Sequence, residues 1–97
     1  MKVIGRKKLE DFCKRRPDAE KSLKAWHGEV KYAIWKTPHE VKKTYGTATI
    51  LRNSRVVFNI CGNKYRLIAA INYDFQIVCV RFIGTHKDYD AISAEEI

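Results

Sequence analysis

A chain of 97 residues has room for one hydrophobic core and not for two of ordinary size, so a single domain over 1–97 is expected. With 45% hydrophobic and 31% charged residues it has enough apolar surface to bury, which excludes wholesale disorder. Its 19 Lys and Arg against 11 Asp and Glu leave a net charge of +8, and the usual partners of so basic a surface are nucleic acid, an anionic membrane or an acidic protein.

The charge is placed unevenly. Residues 1–45 hold 13 bases and 6 acids, whereas 46–97 hold 6 and 5. Asp88, Asp90, Glu95 and Glu96 occupy a base-free stretch at 88–97, so residues 1–87 carry +12 and an acidic tail follows a very basic body. Cys13, Cys61 and Cys79 are odd in number and form no CxxC pair, which reads as free thiols in a reducing cytoplasm. Lys2, Arg6, Lys7 and Lys8 interrupt the N-terminus and no run of 18 apolar residues occurs, so neither a secretory leader nor a membrane span is expected.

Residues 1–4 fit a short edge strand ended by Gly5. Leu9, Phe12 and Cys13 recur at helical spacing and predict a helix over about 6–16; Pro17 ends it and suits the first turn of the next. Asp18 and Glu20 lie where the helix dipole favours acids. Leu23, Trp26, Val30 and Ile34 make one apolar stripe, which predicts a second helix to about Trp35. Thr37 as N-cap, Pro38 in the first turn and Gly46 as a stop predict a third over about 38–45. From residue 47 the period becomes alternating, with strands over 47–51, 56–60, 65–72 and 77–83 and turns at Asn53-Ser54, Gly62-Asn63 and Asp74-Phe75. The expected fold is α+β: a short N-terminal strand, two to three helices packed on one face of an antiparallel meander sheet, and a short C-terminal helix.

Two-residue turns fix the register of both later hairpins. Asn59 then pairs with Arg66 and Val57 with Ile68; across the next hairpin Tyr73 pairs with Gln76, Ile68 with Arg81 and Arg66 with Ile83. Val56, Phe58, Ile60, Tyr65, Leu67, Ala69, Ile71, Val78, Val80 and Phe82 share the face that packs on the helices. Asn59, Lys64, Arg66, Ile68, Arg81 and Ile83 share the open face, with the small residues Ala70 and Cys79 between them. Arg66 and Arg81 become diagonal neighbours about 7–8 Å apart, where two guanidiniums repel unless an anion such as phosphate bridges them. The alternative is that each caps a half-exposed sheet with a solvated head.

Thr85 with Asp88 three residues on resembles a capping box, so a short helix is expected to start at His86 and to carry His86 and Tyr89 on one side. Cleaving RNA without metal needs a base for the ribose 2′-OH, cations for the charge on phosphorus and an acid for the 5′-oxygen. His86, Tyr89 or Lys64 could move protons while Arg66 and Arg81 hold phosphoryl oxygens. His27, His39 and His86 are scattered, with no HExxH, and no GxGxxG, Walker loop or GxSxG occurs, so no metal and no cofactor is expected. Cys79 reads as a small packing residue.

The run Gly62-Asn63-Lys64-Tyr65-Arg66, then Val80-Arg81-Phe82, then Gly84-Thr85-His86-Lys87-Asp88-Tyr89-Asp90 resembles the HigB-type toxins of bacterial toxin-antitoxin pairs, within the RelE-like superfamily of mRNA interferases. The specific part is a THxxYD element after a GNxxR strand. The resemblance extends over nearly the whole chain and implies a RelE-like fold, cleavage of mRNA in the ribosomal A site, and neutralisation by a helix-turn-helix antitoxin of the HigA type. It marks Asn63, Arg66, Arg81, His86 and Tyr89 as motif positions, with Lys64 and Lys87 as supporting cations. Arg6, Lys7, Lys8, Lys14, Arg15 and Arg16 are the expected contacts to ribosomal RNA phosphates. The competing readings are a non-catalytic RNA- or DNA-binding module, which lacks paired RNP-type aromatics here, and a peripheral membrane protein, which lacks a strongly apolar face beside its basic one.

Overall fold

The alternating half of the chain builds the sheet and the helical half covers one side of it. The structure, a computed structural model, describes residues 1–97. In chain order the elements are β1 (Lys2–Ile4), α1 (Arg6–Arg15), a single 3₁₀ turn (Pro17–Ala19), α2 (Glu20–Tyr32), α3 (Pro38–Thr44), β2 (Thr49–Ile50), β3 (Arg55–Ile60), β4 (Tyr65–Asn72), β5 (Ile77–Thr85) and α4 (His86–Asp90). The five strands lie in the order β1-β5-β4-β3-β2. β2 to β5 form the expected antiparallel meander, and β1 adds to its outer edge in parallel, Lys2 opposite Ile77 and Ile4 opposite Cys79. The fold is α+β with a mixed sheet, consistent with a RelE-like architecture. No helix is long and apolar enough to cross a membrane.

Leu9 and Phe12 from α1, Leu23, Trp26 and Val30 from α2 and Val41 from α3 enter one core with Phe58, Ile60, Tyr65, Leu67, Val78, Val80 and Ile83. Aromatic edges join the two layers: Trp26 meets Phe58 at 5.4 Å and Phe12 meets Tyr65 at 5.1 Å between ring centroids. Thr37 caps α3 as expected, its hydroxyl accepting the Glu40 amide.

Two expectations are corrected. Ile34 does not continue the α2 stripe. The helix ends at Tyr32, the Met1 ammonium takes the main-chain oxygens of Val30, Lys31 and Ala33, and Ala33 turns extended, which leaves Ile34 72% exposed and drops Trp35 into the core.

The second correction concerns register. The β3–β4 pairing is the expected one, Asn59 with Arg66 and Val57 with Ile68. The β4–β5 pairing follows the expected register from Asn72–Ile77 to Ala69–Val80, and then a bulge at Arg81 shifts it by one residue. Ile68 therefore faces Phe82 instead of Arg81, and Arg66 faces Gly84 instead of Ile83. Because side chains alternate with period two, the single extra residue exchanges the faces of Phe82 and Ile83: Ile83 joins the core and Phe82 leaves it. Arg66 and Arg81 are consequently not diagonal neighbours, and the phosphate bridge expected between them is not built.

Gly5 joins β1 to α1 at φ +94, and a Cβ there would lie 2.8 Å from the Val80 main-chain oxygen. Gly5→Ala combines an unfavourable left-handed backbone with a clash against the central strand pair. It is expected to lower stability by about 1–3 kcal/mol in urea titration.

Candidate active site

Residues 61–64 form the turn between β3 and β4, with Cys61 and Gly62 both at positive φ. The turn is fastened to the elbow between α1 and α2 by one residue, Asp18. Its carboxylate accepts from Lys64 Nζ at 2.5 Å and from the Tyr65 hydroxyl at 2.8 and 2.9 Å, and the Cys61 thiol donates to its main-chain oxygen at 3.3 Å. The Lys64 and Tyr65 hydrogen bonds hold the Asp18 carboxyl below the ordinary carboxylate range, and Asp18 in return raises the Lys64 ammonium. Burial, then the bond to Asp18, raises the Tyr65 phenol.

So held, the turn presents the Asn63 main-chain oxygen to two side chains at once. His86 Nε2 lies 2.7 Å from it and Arg66 Nη1 donates to it at 3.2 Å, with a second, longer bond from Arg66 to the Tyr65 oxygen at 3.4 Å. A carbonyl only accepts, so its partner assigns the proton of a neutral His86 to Nε2 and leaves the Nδ1 lone pair free. Guanidinium and imidazole thus share one anchor while each keeps unused nitrogen.

His86 owes its place to the cap expected from sequence. Thr85 Oγ1 accepts the Asp88 amide and Asp88 Oδ2 accepts the Thr85 amide, both at 3.2 Å, which starts α4 where β5 stops. The bonds from Thr85 hold the Asp88 carboxyl below its usual range, with smaller contributions from Arg16 and Arg15. Gly84, between bulge and cap, has no room for a side chain: a Cβ would meet the Phe82 ring at 2.7 Å and Asp88 at 3.0 Å.

Around His86 opens a shallow pocket of about 570 Å³ lined by Arg15, Arg16, Pro17, Asp18, Lys64, Tyr65, Thr85 and Lys87. It draws cations from three separate stretches of chain, and its one acid is already paired with Lys64. Of the residues singled out in the sequence, the structure brings together Asn63, Lys64, Arg66, His86, Lys87, Arg15 and Arg16. Tyr89 is half-buried on α4 and outside the pocket wall. Arg6 and Lys14 line a different groove between α1 and α2, and Lys7 and Lys8 are exposed. Arg81 lies on the sheet face, its Nε donating to the main-chain oxygen of Ile97 at 3.3 Å. No three His, Cys, Asp or Glu side chains gather as metal ligands would.

Residues 19–92 match the HigB toxin family, described as the RelE-like toxic component of a toxin-antitoxin system. The chain belongs to this family. Over 96 residues it is 27% identical to the mRNA interferase toxin HigB of Escherichia coli (strain K12) and to the mRNA interferase HigB of Shigella flexneri, taking in 97% of this chain and 92% of each relative. In the HigB frame the matched segment begins one residue after Asp18, and it contains the turn, the bulge and the capped helix described above.

Two participants were not found by sequence reasoning. Asp18 was assigned only a dipole role, and no local pattern signals a partner 46 residues away. The Asn63 anchor is a main-chain oxygen and carries no residue-type signal.

Asp18→Asn keeps the shape of the side chain and removes its charge. Because the folded-state carboxyl titrates below its unfolded value near pH 3.9, its stabilising contribution is present above that pH and is lost as pH falls through the folded value. The variant is expected to be less stable than the parent by a constant margin over pH 5–7, with the margin closing below about pH 4. Urea titrations of both proteins across that range check this.

Proposed function

We propose that this HigB-family chain is an mRNA endoribonuclease that acts on translating ribosomes and is silenced by a helix-turn-helix antitoxin of the HigA type. The observation that carries the reading is the meeting of Arg66 and His86 on one main-chain oxygen, with His86 also lining a pocket walled by cations. The names of its relatives, mRNA interferases, point the same way.

In this reading the free Nδ1 of His86 takes the proton of a ribose 2′-OH. The 2′-oxygen bonds to phosphorus, the bond from phosphorus to the 5′-oxygen breaks, and the departing oxygen takes a proton from a second group, Tyr89 on the following turn of α4 or Lys87. The negative charge gathered on phosphorus is met by the unused N–H groups of Arg66 and by Lys87, Arg15 and Arg16. Lys64 enters as a cation whose ammonium is shared with Asp18, so it orients substrate without carrying its full charge to it. Arg6, Lys7, Lys8 and Lys14 extend the positive field along α1 and suit ribosomal RNA phosphates; binding through them weakens steeply with salt. The net charge of +12 over residues 1–87 suits an antitoxin that covers basic surface with acidic side chains.

The test is to incubate protein, message and ribosomes and map new 5′ ends. Discrete cuts that require ribosomes are expected. His86→Ala and Arg66→Ala should each slow single-turnover cleavage by about 10²–10⁴, and because His86 is exposed its loss should move stability by no more than about 0.5 kcal/mol. Tyr89→Phe removes only the hydroxyl and separates the two candidate acids. Unchanged message with retained RNA binding would make the protein a binding module.

A further inference from the structure

Large apolar side chains are left bare at one end of the molecule. Tyr32, Ile34 and Phe75 are 81%, 72% and 77% exposed, whereas the next in order, Ile4, is 42% exposed. Tyr32 ends α2, Ile34 lies in the link to α3, and Phe75 is in the β4–β5 turn. Gln76 ties these segments together. Its Nε2 donates to the Trp35 main-chain oxygen at 2.7 Å and to that of Tyr73 at 2.8 Å, and its own main-chain oxygen accepts the Lys2 amide at 2.8 Å. Asn72 Oδ1 accepts the Phe75 amide at 2.9 Å, which fixes the turn. Ile34 adjoins Trp35 and Phe75 adjoins Gln76, so link and turn bring their apolar residues to the same end of the sheet.

The cleavage pocket is at the other end. β4 starts at Tyr65, in the pocket wall, and stops at Asn72, beside the Phe75 turn, a span of about 23 Å at the usual strand rise. The two ends differ in kind. The apolar residues of the pocket wall are Pro17 and Tyr65, and Tyr65 is buried and bonded to Asp18, so the pocket suits an anion and gives a protein no apolar anchor. Stable protein contacts are centred on aromatic and aliphatic side chains that lose their water, and the far end supplies three.

Charge chooses the occupant. Residues 1–4, 31–36 and 72–77 hold Lys2, Lys31 and Lys36 against one acid, Asp74. All three lysines are exposed, none is in an ion pair, and the Lys31 ammonium lies 5.7 Å from the Tyr32 ring centre. A second copy of the chain would set these lysines against their own images, and three side chains fall short of the about 800 Å² a side that a stable dimer buries. RNA presents phosphates, to which Ile34 and Phe75 offer nothing. A protein segment with apolar side chains for the patch and carboxylates for the lysines satisfies both, and the family is the toxic component of a toxin-antitoxin system, whose other component is such a candidate.

We propose that the antitoxin anchors on Tyr32, Ile34 and Phe75 through apolar side chains flanked by acidic ones, at the end of the sheet away from the cleavage pocket. That the antitoxin is of the HigA type and that it silences mRNA cleavage rest on the function proposed above. The apolar anchor sets how long the complex lasts, and the carboxylates that reach the lysines set how fast it forms.

The test measures binding of the co-expressed and purified cognate antitoxin to the full chain and its variants. Ile34→Ser and Phe75→Ser should each weaken binding about 30-fold or more, mainly by faster dissociation. Their melting temperatures should match the parent's, because both residues are exposed and outside the core. Lys31→Glu and Lys36→Glu should slow association, by a factor that shrinks as salt is raised. In the complex, amide exchange should slow at 31–36 and 72–77. Undiminished binding by the double variant Ile34→Ser/Phe75→Ser, or protection confined to 61–64 and 86–87, would overturn the proposal. Variants that keep the antitoxin but lose ribosome binding, or lose a dimer of the free chain, would hand the patch to another occupant and overturn it as well. Weakened antitoxin binding in variants of a parent that cuts no message would support the anchor and sink the proposed activity; cleavage silenced equally in parent and variants would do the reverse.

Discussion

One extra residue in β5 decides where the chemistry of this molecule can be. The bulge at Arg81 rotates the last turn of the strand, so that Ile83 closes the core, Gly84 lies opposite Arg66 and Thr85 lies opposite Tyr65. With Thr85 in that place its hydroxyl caps α4, and the first residue of α4 comes level with the β3–β4 turn. Regular pairing would put Ile83 opposite Arg66 on the solvent side and carry His86 past the turn. Gly84 is the companion of the bulge, because the Phe82 ring and Asp88 close over the space that any side chain would need.

The second dependency is electrostatic. In a chain with this much positive charge, each carboxylate that stays near the cations has a structural task. Asp18 collects an ammonium, a phenol and a thiol and so fixes the turn; Asp88 caps a helix within the field of Arg15 and Arg16. Neither neutralises Arg66 or His86. Acids stitch the rim, and the centre keeps its field for an incoming anion. The same division explains why Lys64, although in the pocket, is the cation least able to act as a free charge.

The fold was legible because its signals are local. Pro17, Pro38 and Gly46 punctuate the helices, Val56, Phe58 and Ile60 on β3 and Tyr65, Leu67, Ala69 and Ile71 on β4 recur with period two, and Thr85 with Asp88 three residues on marks the start of α4. The β3–β4 register was legible for the same reason, since a tight turn and alternation leave one answer. The site was legible only in part. Arg66 and His86 stand in a motif, yet their meeting point is a backbone atom, and its holder Asp18 lies on another element. The bulge has no mark in the residues around it: Val78-Cys79-Val80-Arg81-Phe82-Ile83 alternates as well with one parity as with the other once a residue is skipped. Ile34 misled because apolar spacing outlasts the helix, and the end is set by the Met1 ammonium, which sequence distance hides.

The parallel pairing of β1 with β5 joins residues 2–4 to residues 77–79. Closing so long a loop brings its entropy cost before its contacts, so the sheet edge is completed late in folding. Synthesis runs in the same direction: α1 and α2 are made early, while the segments bearing Asn63, Arg66 and His86 come last. A half-made chain consequently displays Phe12, Trp26 and Val30 with no sheet to receive them and holds no assembled pocket. The pocket is therefore assembled only after residues 86 and 87 have been made, because His86 and Lys87 close its wall.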